Sequence, residues 1–104
     1  MSGEFDKPAS GLAGHALRNA HLRERSLLRA QTAPPLARAV VRIRAEILGL
    51  TRLEFSRRSG IGRGTLRDLE LGVHKPTRHT LGRFVHFCKK SGVAREHTDF
   101  LEQT

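Results

Sequence analysis

From Leu36 onward, apolar side chains return at helical spacing. In PPLARAVVRIRAEILG they fall at Leu36, Val40, Ile43 and Ile47, with Val41 and Leu48 widening the stripe. Arg38, Arg42, Arg44 and Glu46 take the remaining positions. Proline's fixed φ suits a first helical turn, so Pro34 and Pro35 let this helix start, and Gly49 stops it. Thr51 with Glu54 three residues later predicts a capping box that opens a second helix over Arg52 to Ser59, closed at Gly60. A third helix is predicted from near Gly62 to Gly72, followed by a turn at HKPT. Thr77 caps a fourth, RHTLGRFVHFCKK, which turns Leu81, Phe84, Val85 and Cys88 inward and ends at Ser91-Gly92. AREHTDFLEQ predicts a short fifth helix with Phe100 and Leu101 on its apolar side. No segment alternates with period two, so the fold class is all-α, with five helices.

Residues 1–33 lack this order. MSGEFDKPASG reads as disordered. HALRNAHLRERSLLRA reads as a helix with a thin stripe of Leu17, Leu22 and Leu28, too weak to stand without a surface to pack on. TAPPLA separates the two pieces. The expected division is a basic N-terminal arm, 1–33, disordered or weakly helical and flexible, and a helical domain, 34–104. There is no internal repeat.

Composition narrows the function classes. A chain of 104 residues makes one small domain plus tails, and without Trp or Tyr its core must be Phe, Leu, Ile and Val. Such a core leaves little room for a buried catalytic cavity. No Ser/His/Asp set or carboxylate pair has local support, so no enzymatic activity and no cofactor are expected. His79, His86 and Cys88 do not make a metal site: His86 and Cys88 lie on different faces of a helix and there is no second cysteine. Cys88 reads as a small core residue. The apolar runs fall far short of a membrane span, residues 1–33 lack a secretory stretch, and a lone cysteine agrees with a reducing compartment. Together these predict a cytoplasmic protein that does not contact membranes. The net charge of +9, carried more by arginine than by lysine, points to a polyanionic partner, the plainer reading being a solubilising surface.

Two short helices joined by a glycine-bearing turn, the second one basic, make the helix-turn-helix pattern over 51–72. Leu53 or Phe55, then Ile61, Leu66 and Leu69, must share one apolar surface, and Ser56 offers a small side chain where the helices cross. Gly60 takes the turn, where a left-handed backbone is easiest for glycine. Arg63, Gly64, Arg67 and Asp68 then fall on the exposed side of the third helix.

On these residues LTRLEFSRRSGIGRGTLRDLELGVHKPTRHTLGRF resembles the XRE family of helix-turn-helix proteins, the group of the Cro and cI phage repressors. Leu50, Thr51, Ser59, Gly60, Thr65, Leu69, Glu70, Gly72, Pro76, Thr80 and Leu81 match the family pattern, and Phe55, Ser56, Ile61 and Leu66 replace its residues conservatively. The likeness runs from about Leu36 to Val93. Three positions depart from it: Arg52 stands for the usual glutamine, Gly62 for a polar N-cap, and Gly64 adds a second glycine to the start of the third helix.

The resemblance implies a five-helix lambda-repressor-like domain that binds double-stranded DNA, with helix 62–71 in the major groove. Arg63, Gly64, Arg67 and Asp68 would face base edges. Arginine forks suit guanine, which implies a G-containing half-site. Asp68 has a plainer reading as the charge partner of Arg67 or Arg63, and Glu70 as a structural glutamate paired with an arginine. Arg52, Gly62, Thr65, His74, Lys75 and Arg78 would contact phosphate. The expected role is a transcriptional regulator, most simply a repressor, acting in the bacterial or phage nucleoid as a homodimer through its last helices. The alternative is a protein-interaction module, antitoxin-like or coactivator-like, with residues 1–33 or the last helix as its contact.

Overall fold

The computed structural model describes residues 2–103, with side chains from residue 16 onward. The helices are α1 (Ser2–Ala30), α2 (Pro35–Val41), α3 (Arg52–Ser59), α4 (Arg63–Leu71), α5 (Arg78–Lys90) and α6 (Arg95–Glu102), and no strand occurs among the described residues. Arg42–Ile47 continue α2 as a π-helical segment. The helices from Pro35 onward are the five expected. The caps explain their limits: Pro34 and Pro35 open α2, Thr51 opens α3, Thr77 accepts from the Thr80 N–H to open α5, and Gly60 and Gly72 close α3 and α4.

The core gathers around Phe55. Its ring stacks on Phe84 at 5.1 Å between centroids and meets the edge of Phe87 at 4.9 Å. Val40, Ile43, Ile61, Leu66 and Leu101 belong to the same buried cluster. Of the two candidates for the shared helix-turn-helix surface, Phe55 is buried and Leu53 exposed. Cys88 lies fully inside, and burial pushes its thiol up to about 12, which leaves it a packing group rather than a nucleophile.

The π-helical segment corrects the periodicity reading. The Leu48 N–H donates to the carbonyl five residues back, on Ile43, at 2.8 Å. In this wider turn each residue advances the side-chain direction less than a period of 3.6 assumes. Ile47, expected on the apolar stripe, is accordingly 38% exposed. Arg44, expected on the polar side because of its charge, is 0% exposed: it stands four and three residues on from the buried Val40 and Val41, inside the stripe. Arg44 is held by a complete set of acceptors. Its Nη2 donates to Glu70 Oε1 at 2.9 Å, its Nε to Glu70 Oε2, and its Nη1 to the Leu50 carbonyl at 2.8 Å. Arg52 Nη2 adds a second cation to Glu70 Oε1 at 3.0 Å. Among the described residues no buried side-chain polar atom lacks a partner. Buried charge is tolerated on that condition.

The arm reading changes as well. Where side chains are described, residues before Ala30 are helical and their C-terminal half is docked. Ser26 is buried, and Ala30, buried, and Leu27, half-buried, pack against Val41 and Ala45. The predicted stripe of Leu17, Leu22 and Leu28 is not the packing face, because all three are exposed. Small residues let the helices approach, and Ser26 and Ala30 supply them where the leucine spacing pointed elsewhere. Over MSGEFDKPASG, expected to be disordered, the backbone is helical from Ser2, and the side chains there lie outside the described residues.

Glu70→Ala leaves the Arg44 guanidinium buried without its carboxylate, and the expected loss is about 3–5 kcal/mol of unfolding free energy. Urea denaturation checks it. A loss below about 1 kcal/mol would mean that the pair does not hold α4 in place.

Candidate nucleic-acid interface

The α3–turn–α4 unit is pinned at each joint by side chains of its own. At the start of α3, Thr51 Oγ1 accepts from the Glu54 N–H at 3.2 Å while the Thr51 N–H donates to Glu54 Oε1 at 2.8 Å, a reciprocal cap. That backbone donor holds the Glu54 carboxyl below the usual carboxylate range, and Arg58 and Arg23 act in the same direction. At the turn, Gly60 adopts φ 79°, a left-handed conformation that closes α3. Ser56 Oγ donates to the Ile61 carbonyl at 2.6 Å, and the Ile61 N–H donates to Ser59 Oγ at 3.1 Å. Arg83 reaches from α5 to the Gly60 carbonyl at 2.7 Å. Ile61, fully buried, plugs the corner.

These restraints fix the rotation of α4. Leu66, Leu69 and Glu70 turn inward. The far end is pressed close to α2, since a Cβ added at Gly72 would come within 2.8 Å of Pro34 Cδ. The opposite face is therefore set. Arg63, Gly64, Arg67 and Asp68 are all exposed, at offsets of one and four that place them on one side of the helix. Arg67 Nη2 lies 3.8 Å from Asp68 Oδ1, the contact expected if Asp68 is a charge partner.

Most of the flanking candidates are exposed on the surface. Gly62 and Thr65 are exposed at the start of α4, Gly62 as an N-cap without a side-chain hydrogen bond. His74 and Lys75 are exposed in the loop after α4, and Arg78 at the first turn of α5. Arg52 differs. Its Nε and Nη2 both point to Glu70 Oε1, at 3.3 and 3.0 Å, so this cation braces α4 from α3. The resemblance implies a phosphate contact for Arg52, and no spacing rule signals its carboxylate partner eighteen residues away.

Two arginines that the pattern did not single out join the face. Arg18 and Arg29 of α1 stand beside Arg52, Arg63 and Arg67 around one cleft. Only the docking of α1, a tertiary event, brings them there. Among the described residues no group of three His, Cys, Asp or Glu side chains could hold a metal ion, and no helix is long and apolar enough to cross a membrane.

The model of the family described as helix-turn-helix matches residues 41–93, which take in α3, α4 and α5. No curated protein and no solved structure matches significantly.

A Cβ at Gly64 would meet nothing within 4 Å. Gly64→Ala is therefore expected to raise the stability of the free protein by about 0.5–1 kcal/mol, the helix-propensity difference at an exposed site. A lower melting temperature for the alanine variant would show that α4 needs glycine there for its own folding.

Proposed function

The chain belongs to the XRE family of helix-turn-helix proteins, a family of DNA-binding regulators, and on that premise we propose that it binds double-stranded DNA sequence-specifically, as a repressor of transcription. One observation carries the reading: an exposed face of Arg63, Gly64, Arg67 and Asp68 on a helix whose rotation is fixed from behind by Leu66, Leu69 and Glu70. In this reading α4 enters the major groove. Arg63 and Arg67 present planar forks to guanine O6 and N7. Gly64 lets the helix backbone approach the base edges, and Asp68 orients Arg67. Thr65, His74, Lys75, Arg78 and the N–H groups after Gly62 hold phosphates on either side. Arg52 takes part chiefly by bracing Glu70.

With two glycines where polar caps and readers usually stand, base readout rests on few side chains. A larger share of affinity then falls to phosphate contacts and to salt-dependent attraction. Two copies joined through α5 and α6 would read a palindrome. The exposed Phe100 ring, beside a groove lined by Ala39, Ile43 and His97, favours that pairing. The alternative, an interaction module whose residues 1–33 fold on a protein partner, draws less support. Leu27 and Ala30 are already packed against Val41 and Ala45, and Ser26 is buried.

Selection from randomised duplexes at moderate salt is expected to return a motif containing guanines. Arg63→Ala and Arg67→Ala should each relax one position of that motif and weaken binding by about 1–3 kcal/mol, read by fluorescence titration. Equal affinity for every duplex would sink sequence-specific recognition.

A further inference from the structure

The cleft between α1 and the α3–α4 unit has a volume of about 570 Å³. Arg18 and Arg29 of α1 face it from one side, and Arg52, Arg63 and Arg67 from the other. No carboxylate among the described residues lines it. Two of its arginines have partners of their own: Arg52 is bound to the buried Glu70, and Arg67 lies against Asp68. Among the described residues Arg18, Arg29 and Arg63 have no ion pair, and three such charges around one open cavity favour an anion among them. We propose that this cleft receives one phosphate strand of the DNA, so that α1 is a second, built-in wall of the DNA interface. The inference rests on the DNA-binding reading above.

The register of α1 suits a backbone. Arg18, Leu22, Ser26 and Arg29 recur at offsets of four, four and three, which is one helical face. Ser26 is buried and sets the close approach to the domain, which aims the two arginines on either side of it into the cleft. At about 1.5 Å per residue, Arg18 and Arg29 stand roughly 16 Å apart along the axis. One DNA strand carries a phosphate every ~3.4 Å of helix axis, so this span covers about five of them. Leu22 and Leu53 line the cleft between the arginines and offer apolar surface to deoxyribose rings. Arg63 and Arg67 belong to both surfaces. α4 reads the groove while α1 holds the adjoining strand, and no base-specific contact comes from α1.

The test uses the full chain and a duplex, either the selected one or a scrambled one, titrated between about 50 and 200 mM salt. Replacing Arg18 and Arg29 together with Ala should lower the slope of log K against log salt by about two, one for each lost phosphate contact. Both duplexes should weaken by the same factor, unlike the base-selective loss expected at Arg63. Replacing Arg25 and Arg57 with Ala removes the same formal charge from exposed positions that do not line the cleft and should leave the slope nearly unchanged. The double Lys variant at 18 and 29 keeps the charge and should retain the slope. An unchanged slope for the double Ala variant overturns the proposal. Tighter binding by that variant also overturns it, and would make α1 a cover that competes with DNA. If the unaltered chain binds neither duplex, the DNA-binding reading falls and this one with it. Failure confined to the double Ala variant removes only the role of α1.

Discussion

A single buried carboxylate determines how α4 is presented. Glu70 sits on the inner face of α4 and receives Arg44 from the π-helical end of α2 and Arg52 from the first turn of α3. Three separate elements therefore meet at two oxygens. Removing such charges from water is costly, and the arrangement is tolerable because each oxygen has a cationic donor and the spare Arg44 nitrogen is bound by the Leu50 carbonyl. Apolar packing by Leu66 and Leu69 would hold α4 down but would tolerate some sliding or rotation. Directional hydrogen bonds to Glu70 add the constraint that packing lacks, and they fix which residues face outward.

The π-helical turn contains the same arginine. A regular helix would have carried Ile47 inward with Ile43. Widening the turn exposes part of an isoleucine, an unfavourable exchange in apolar area alone. Arg44, four and three residues on from the buried Val40 and Val41, keeps the inward direction that a regular period already gives it, and its guanidinium reaches Glu70. The exposed face of α4 is positioned by that pair.

Helix limits were legible because they are chemical: Thr51 with Glu54, Thr77, Pro35, Gly60 and Gly72 each act on neighbours a few residues away, and the coordinates place all of them at helix ends. The exposed face of α4 was legible for the same reason, since Leu66 and Leu69 leave only one side for Arg63 and Arg67. The period alone places Arg44 with Val40 and Val41; its charge argues for the polar side, and no local signal announces the carboxylate 26 residues away that takes it inside. Ile47 departs from the stripe because the period changes within the helix. Leucine spacing gives no sign of how α1 docks. The helix instead packs through Ser26, Leu27 and Ala30, whose value lies in close approach. Arg18 and Arg29 carry no local signal. Their meaning depends on α1 lying beside α4.

Net charge gains content once the carboxylates are located. Glu46 pairs with Arg42, Asp99 with Arg95 and Glu102 with Lys89, on the end of α2, on α6 and at the end of α5. Those pairs are exposed and contribute little to stability. Their effect is to spend acidic charge away from the α1–α4 cleft, while Glu70 and Glu54 are absorbed by internal bonds. The cleft is thus lined by arginines and by no carboxylate of the described residues. In the proposed reading, that local excess attracts a polyanion whatever its base sequence. Specificity in that reading falls to the few groups that project from the glycine-thinned edge of α4, and a helix start with so little side-chain bulk needs its hold on the duplex from elsewhere.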